Sequence, residues 1–122
     1  MNKVLLIEDN KNIIKVISML LTDEGFDLKV EKDGVNGVET ALEWEPDLIL
    51  LDIKLPKMNG FLVCETLRDN EKTVDTKIII VSAKAEEEDI QRGFELGADE
   101  YMTKPINPDE LLEVINKHLK LL

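Results

Sequence analysis

Three short runs along the chain carry only apolar side chains: Val4 to Ile7, Leu48 to Leu51 and Ile78 to Val81. Runs of this length without polar alternation predict strands buried on both faces, as in a parallel sheet. Leu28 and Val30 alternate with Lys29 and Glu31, which predicts an edge strand, and a short segment from Tyr101 to Thr103 predicts one more. Between these segments the apolar positions recur at helical spacing. Ile13, Ile17, Leu20 and Leu21 predict a first helix stopped at Gly25. Val35, Val38 and Leu42 predict a second, which must end before Pro46. Pro56 and Gly60 bracket a loop, and Val63, Cys64 and Leu67 begin a third helix. Glu86 to Asp89 supply acids to the first turn of a fourth, where the helix dipole favours them; Ile90, Phe94 and a stop at Gly97 complete it. Asn107, Pro108 and Glu110 suit the N-cap, N1 and N3 positions of a last helix, with Leu111, Leu112, Ile115 and Leu119 facing the core.

Strand and helix therefore alternate, with short connections and no linker or repeat. This predicts a single α/β domain over residues 1–122, a (βα)5 doubly wound parallel five-stranded sheet of flavodoxin-like type. The all-apolar strands belong in the middle, and right-handed crossovers then give the order 2-1-3-4-5. In such sheets ligands bind beyond the carboxyl ends of the strands, at the point where the winding reverses. Here that point lies between the first and third strands. Glu8 and Asp9 follow the first, Asp52 the third, Ser82 the fourth and Lys104 the fifth. The pattern thus brings three carboxylates, a hydroxyl and an ammonium to one sheet edge.

Composition changes this picture little. An apolar fraction of 43% over 122 residues suits one ordinary globular core. No apolar run approaches membrane-spanning length and no signal peptide opens the chain, so a cytoplasmic protein without membrane contact is expected. The one cysteine, Cys64, has no internal partner and fits a reducing compartment. A net charge of -11 serves solubility and argues against a nucleic-acid backbone as partner, so no direct DNA binding is expected.

Neighbouring carboxylates repel, and either a raised pKa or a divalent cation relieves the repulsion. Hard oxygen ligands suit Mg²⁺. The plainer alternative is that acids after strands cap the next helix, a role open to Asp9 or Asn10. Asp52 is the candidate nucleophile, since a carboxylate can form an acyl phosphate. Phosphoryl transfer needs mainly positioning and charge stabilisation. Lys104 can pair with one phosphoryl oxygen and Ser82 can donate to another. Taken singly, Lys104 also reads as a solvated surface lysine and Ser82 as a local backbone partner.

The combination of Glu8-Asp9, Asp52 with Pro56 and Gly60 beyond it, Ser82-Ala83 and Lys104-Pro105 resembles the receiver domain of two-component response regulators, of the stand-alone, chemotaxis-regulator type. The resemblance covers essentially the whole chain. It implies that Asp52 is the phosphoacceptor, supplied by the phosphohistidine of a sensor histidine kinase or phosphotransfer protein. It further implies that Glu8 and Asp9 coordinate Mg²⁺, one directly and one through water, together with Asp52 and the backbone carbonyl of Lys54. Lys104 and Ser82 would bind the phosphoryl group, and Ser82 and Tyr101 would form the switch. Pro105 resembles a proline that follows a cis bond. The implied role is a signalling switch, not a metabolic enzyme: it catalyses its own phosphorylation and dephosphorylation and changes its α4-β5-α5 surface for a downstream protein target. Lys84, Gln91, Glu95 and Tyr101 are candidate surface residues of that face.

Two other classes compete. An aspartate-nucleophile phosphatase typically has a second acid two residues after the nucleophile, where this chain has Lys54. A flavin-type cofactor module would have a Gly, Ser or Thr-rich loop after the first strand, where this chain has Glu8, Asp9, Asn10 and Lys11. Lys54 and Lys84 lie two residues after Asp52 and Ser82; they either flank the phosphoryl site or extend into solvent. Cys64, Phe61, Phe94 and Trp44 read as packing residues. His118 lacks the neighbours of a catalytic or metal-binding histidine.

Overall fold

The computed structural model describes residues 2–121. Its elements follow in the order β1 (Lys3–Ile7), α1 (Lys11–Asp23), β2 (Asp27–Glu31), α2 (Gly34–Trp44), β3 (Leu48–Leu51), α3 (Gly60–Arg68), β4 (Lys77–Ser82), α4 (Glu87–Glu95), β5 (Glu100–Thr103) and α5 (Pro108–Leu119). All strand pairings are parallel, in the order β2-β1-β3-β4-β5. This is the flavodoxin-like, doubly wound arrangement expected from the apolar runs.

Strand alternation sorts the core into two layers, because successive side chains point to opposite faces. Leu5, Ile7, Ile49, Leu51, Ile78 and Ile80 pack with Val38 and Ala41 of α2 and with Phe61, Val63, Cys64 and Leu67 of α3. Val4, Leu6, Leu48, Leu50, Ile79 and Val81 pack with Ile17 and Leu21 of α1 and with Leu111 and Ile115 of α5. Both faces of the central strands are covered, which explains why their sequences are apolar throughout. Truncating one of these side chains, as in Ile79→Ala, would cost about 2–5 kcal/mol.

Register sets the site. Ile7 lies level with Leu51, and Leu51 with Ile80. The ladder runs one step past the strands: the Asp52 amide donates to the Ile7 carbonyl at 3.0 Å, and the Lys104 amide to the Ser82 carbonyl at 2.9 Å. Glu8 and Asp52 therefore leave the sheet side by side, while β4 runs on beside them to Ser82.

Two helices sit differently from their sequence expectation. Val35 of α2 is exposed; Val38 is buried as expected, but beside Gly34, Gly37 and Ala41. Phe94 of α4 is 46% exposed, and the buried residue of α4 is Gly93. A Cβ at Gly93 would lie 2.9 Å from both the Ile80 side chain and the Tyr101 ring. Small residues let a helix lie close to the sheet, and its bulky residues are then turned aside. A reading keyed to large apolar residues misplaces such a face.

Candidate functional site

Each site residue is held by its local backbone. Glu8 follows β1 and is 2% exposed. Its Oε2 accepts from the amides of Asp9 and Asn10, both at 3.1 Å. Asn10, not Asp9, caps α1, its Oδ1 accepting from the Asn12 and Ile13 amides. Asp9 is thereby left exposed, with no hydrogen bond or ion pair to its carboxylate among the described residues. Asp52 follows β3, is 6% exposed and accepts the Ile53 amide on Oδ1 at 2.7 Å.

Lys104 reaches this acidic group from the far side of the sheet. Its Nζ lies 2.8 Å from Glu8 Oε1 and 3.3 Å from Asp52 Oδ2. Lys104 precedes Pro105 through a cis peptide bond. Carboxylate oxygens of Glu8, Asp9 and Asp52 all lie within 4.8 Å of one another. One ammonium cannot balance three carboxylates. Burial, reinforced by the Asp52 charge, raises the Glu8 pKa against the lowering pull of Lys104 and the Asn10 amide. A site with excess negative charge and hard oxygen donors fits Mg²⁺.

Ser82 closes β4 and is 1% exposed. Its Oγ accepts the Lys84 amide at 3.1 Å and lies against the Tyr101 side chain. Tyr101 lies on β5 under α4 and donates its hydroxyl to the Lys84 carbonyl at 2.6 Å. Asp9, Lys54, Lys84, Asp89 and Arg92 line a cleft of about 460 Å³ that also borders Pro56 and Phe61. Lys54 is exposed, as expected of a solvated lysine, whereas Lys84 is half-buried with its Nζ 4.0 Å from Asp89.

A family model described as the response regulator receiver domain matches residues 4–116. The chain belongs to the response regulator receiver family. Over 120 residues this receiver is 38% identical to the DNA-binding dual master transcriptional regulator RpaA of Synechocystis sp., covering 98% of this chain and 50% of that protein. Its fold is similar to a CheY-like response regulator receiver domain protein from Methanospirillum hungatei JF-1, with a TM-score of 0.92 and 29% identity over 98% of this chain and 94% of that one. It is also similar to the receiver domain of sensor histidine kinase PA1611 from Pseudomonas aeruginosa PAO1, which has a magnesium ion coordinated in its active-site cleft. There the TM-score is 0.91 and the identity 28%, covering 98% of each chain. Among the described residues no helix of the receiver is long and apolar enough to cross a membrane.

These comparisons correct the expectation about partners. Net charge argued against DNA, but the relative just described is a DNA-binding regulator. The receiver spans about half the length of that relative, so its own charge does not report what the remainder of such a protein contacts. An acidic domain and a DNA-binding protein are compatible when the two properties lie in different segments.

Several well-connected residues escaped the sequence reading. Arg68 donates to the carbonyls of Thr73, Val74, Thr76 and Gly97 and pairs with Asp99 at 2.9 Å, tying α3 to the start of β5. His118 lies 3.1 Å from Glu100 Oε1, which also receives Lys117 at 3.3 Å. The Glu100 pKa is lowered, first by His118 and then by Lys117, against the opposing effect of burial. Neither contact has a local sequence signal, since the partners are far apart in the chain. Asp33 and Gly34 did carry one, an Asp-Gly pair opening a helix.

Proposed function

We propose that Asp52 accepts a phosphoryl group from the phosphohistidine of a sensor histidine kinase or phosphotransfer protein, in a Mg²⁺-dependent reaction. The face formed by α4, β5 and α5 then changes and controls a protein partner. The observation that carries this reading is the convergence of Lys104 Nζ on Glu8 and Asp52, beside an unengaged Asp9.

In the transfer, a carboxylate oxygen of Asp52 attacks phosphorus. The new O–P bond forms as the P–N bond breaks, and the freed imidazole takes a proton from water. The Ile53 amide on Oδ1 holds the carboxylate in place. Lys104 turns from Asp52 to one phosphoryl oxygen, and Ser82 turns its hydroxyl proton to another. Bound Mg²⁺ supplies neutralisation of charge on the phosphoryl oxygens. Asp9, Asp52 and the Lys54 carbonyl would hold it directly. Glu8 would act through water, because its oxygens are already engaged by Lys104 and by two amides. The magnesium ion coordinated in the active-site cleft of the Pseudomonas receiver supports a Mg²⁺ site in this cleft. Dephosphorylation follows when water attacks the same phosphorus and Asp52 leaves as a carboxylate.

The macromolecular donor has a seat beside the site. A groove of about 480 Å³ is lined by Asn12, Ile13, Val16, Lys104, Pro105 and Ile106. Val16 and Met19 are 52% and 61% exposed on α1. A surface this apolar next to the phosphoryl-binding lysine suits a helical protein donor.

The signal leaves through Ser82. Ser82 Oγ holds the Lys84 amide, and the Lys84 carbonyl holds Tyr101. Movement of Ser82 toward the phosphoryl group therefore pulls on the loop before α4 and on β5. The test is treatment with phosphoramidate and Mg²⁺, read by intact mass. The wild-type chain should gain one phosphate, Asp9→Ala should gain it more slowly, and Asp52→Asn should gain none. Stable phosphate on the Asp52→Asn variant would remove Asp52 from the role.

A further inference from the structure

The loop between β3 and α3 carries Asp52 at one end and the Lys54 carbonyl near its middle, and α2 presses on its outer end. The Gly34 amide donates to the Pro56 carbonyl at 3.1 Å. A Cβ at Gly34 would overlap the Met58 carbonyl oxygen and come within 2.7 Å of the Met58 Cβ. Asp33, which caps α2 through the Asn36 amide at 2.8 Å, also lies 3.8 Å from Lys57 Nζ.

The loop has little freedom to yield. The Leu55 amide donates to the Ile53 carbonyl at 3.0 Å, and the Met58 amide to the Pro56 carbonyl at 2.8 Å. Lys57 already occupies the left-handed region at φ 67°. At the inner end, a Cβ on Gly60 would overlap the Asp52 carbonyl oxygen, so α3 bears directly on the phosphoacceptor backbone. A push at Met58 thus passes along the loop toward Lys54 and Asp52.

We propose that the N-terminus of α2 braces this loop, which makes Gly34 a positioning residue for the Lys54 carbonyl and, through it, for the cation beside Asp52. The brace rests on the Mg²⁺ site proposed above. Gly34 itself touches neither cation nor phosphoryl group; it acts by letting α2 lie flush on the loop. Misplacement of a ligand by about 1 Å is enough to lower function on the order of 10²-fold.

Gly37 supplies the control. It is a second close-packed glycine of α2, but a Cβ there would run first into the Ile7 side chain on the core face of β1 rather than into the backbone of the β3–α3 loop. Magnesium titration followed by amide NMR should show Gly34→Ala weakened on the order of 10-fold. Gly37→Ala, although destabilised, should stay within about twofold of the wild type. A Gly34→Ala variant that binds Mg²⁺ like the wild type overturns the brace, as does an equal loss in Gly37→Ala.

A second measurement needs no variant. Linkage is reciprocal, so Mg²⁺ should slow hydrogen exchange at the Gly34 amide of the wild-type chain. The Gly37 amide, bonded within its own helix to the Asp33 carbonyl, should not respond. A Mg²⁺ response at Asp9 and Asp52 with Gly34 indifferent overturns the brace alone. No Mg²⁺ response anywhere overturns the cation site and the brace together.

Discussion

Tyr101 donates its hydroxyl to the carbonyl of Lys84 at 2.6 Å, across a sequence separation of 17 residues. The bond joins β5 to the loop before α4. Burial raises the phenol pKa, so the donor keeps its proton through the neutral range. Tyr101→Phe should cost about 1 kcal/mol and loosen that loop. Hydrogen exchange at residues 84–88 should accelerate in the variant while the amides of β1 and β3 stay protected. Unchanged exchange at 84–88 would show that the hydroxyl is not what holds the loop.

Lys104 is the one cation touching both buried carboxylates among the described residues. Removing one partner of a buried charge cluster leaves the other charges uncompensated. Lys104→Ala should destabilise the Mg²⁺-free chain by about 3 kcal/mol at neutral pH. Millimolar Mg²⁺ should recover much of that loss, as measured by urea denaturation. Phosphorylation should persist in part, because Asp52 remains, while the response of amide shifts near Tyr101 to phosphorylation should disappear.

Glu8 has a folded-state pKa raised by burial. A raised carboxylate contributes stability that is fully present below its unfolded value and is lost as pH rises through the folded value. Between the ordinary carboxylate range and that raised value, the Mg²⁺-free wild type should therefore lose stability relative to Glu8→Gln. Urea midpoints of both proteins across this window measure the difference. A wild type that instead gains on the variant with rising pH would contradict the sign.

Cys64 is fully buried, its thiol donates to the Leu96 carbonyl at 3.5 Å, and burial pushes its pKa up to about 11. The thiolate is the reactive form, so the native chain should resist alkylation at pH 8. Labelling should run at least ~10³-fold slower than in denaturant, because it waits for opening of the fold. Fast stoichiometric labelling of the folded protein would mean that α3 does not seal this residue.

Much of this receiver was determined by sequence alone, for a local reason. Val4 to Ile7, Leu48 to Leu51 and Ile78 to Val81 are apolar on both faces because both faces are covered, and that pattern needs no partner to be read. Given these strands, right-handed crossovers bring Glu8, Asp9 and Asp52 to one edge. Asn107 and Pro108 likewise announced α5, since a cap is made by its own neighbours. Other features belong to the tertiary structure. The choice of Asn10 over Asp9 as the cap of α1 left Asp9 free, and it depended on Glu8 taking the amides of Asp9 and Asn10. The strand pattern put Lys104 at the same edge as Glu8, but only the tertiary structure pairs their side chains, at 2.8 Å. Gly34, Gly37 and Gly93 define contact faces by what they lack, so hydrophobic periodicity could not find them. Phe94 was turned outward for the same reason. Charge is a property of a surface rather than of a lineage, which is why an acidic receiver misled on DNA.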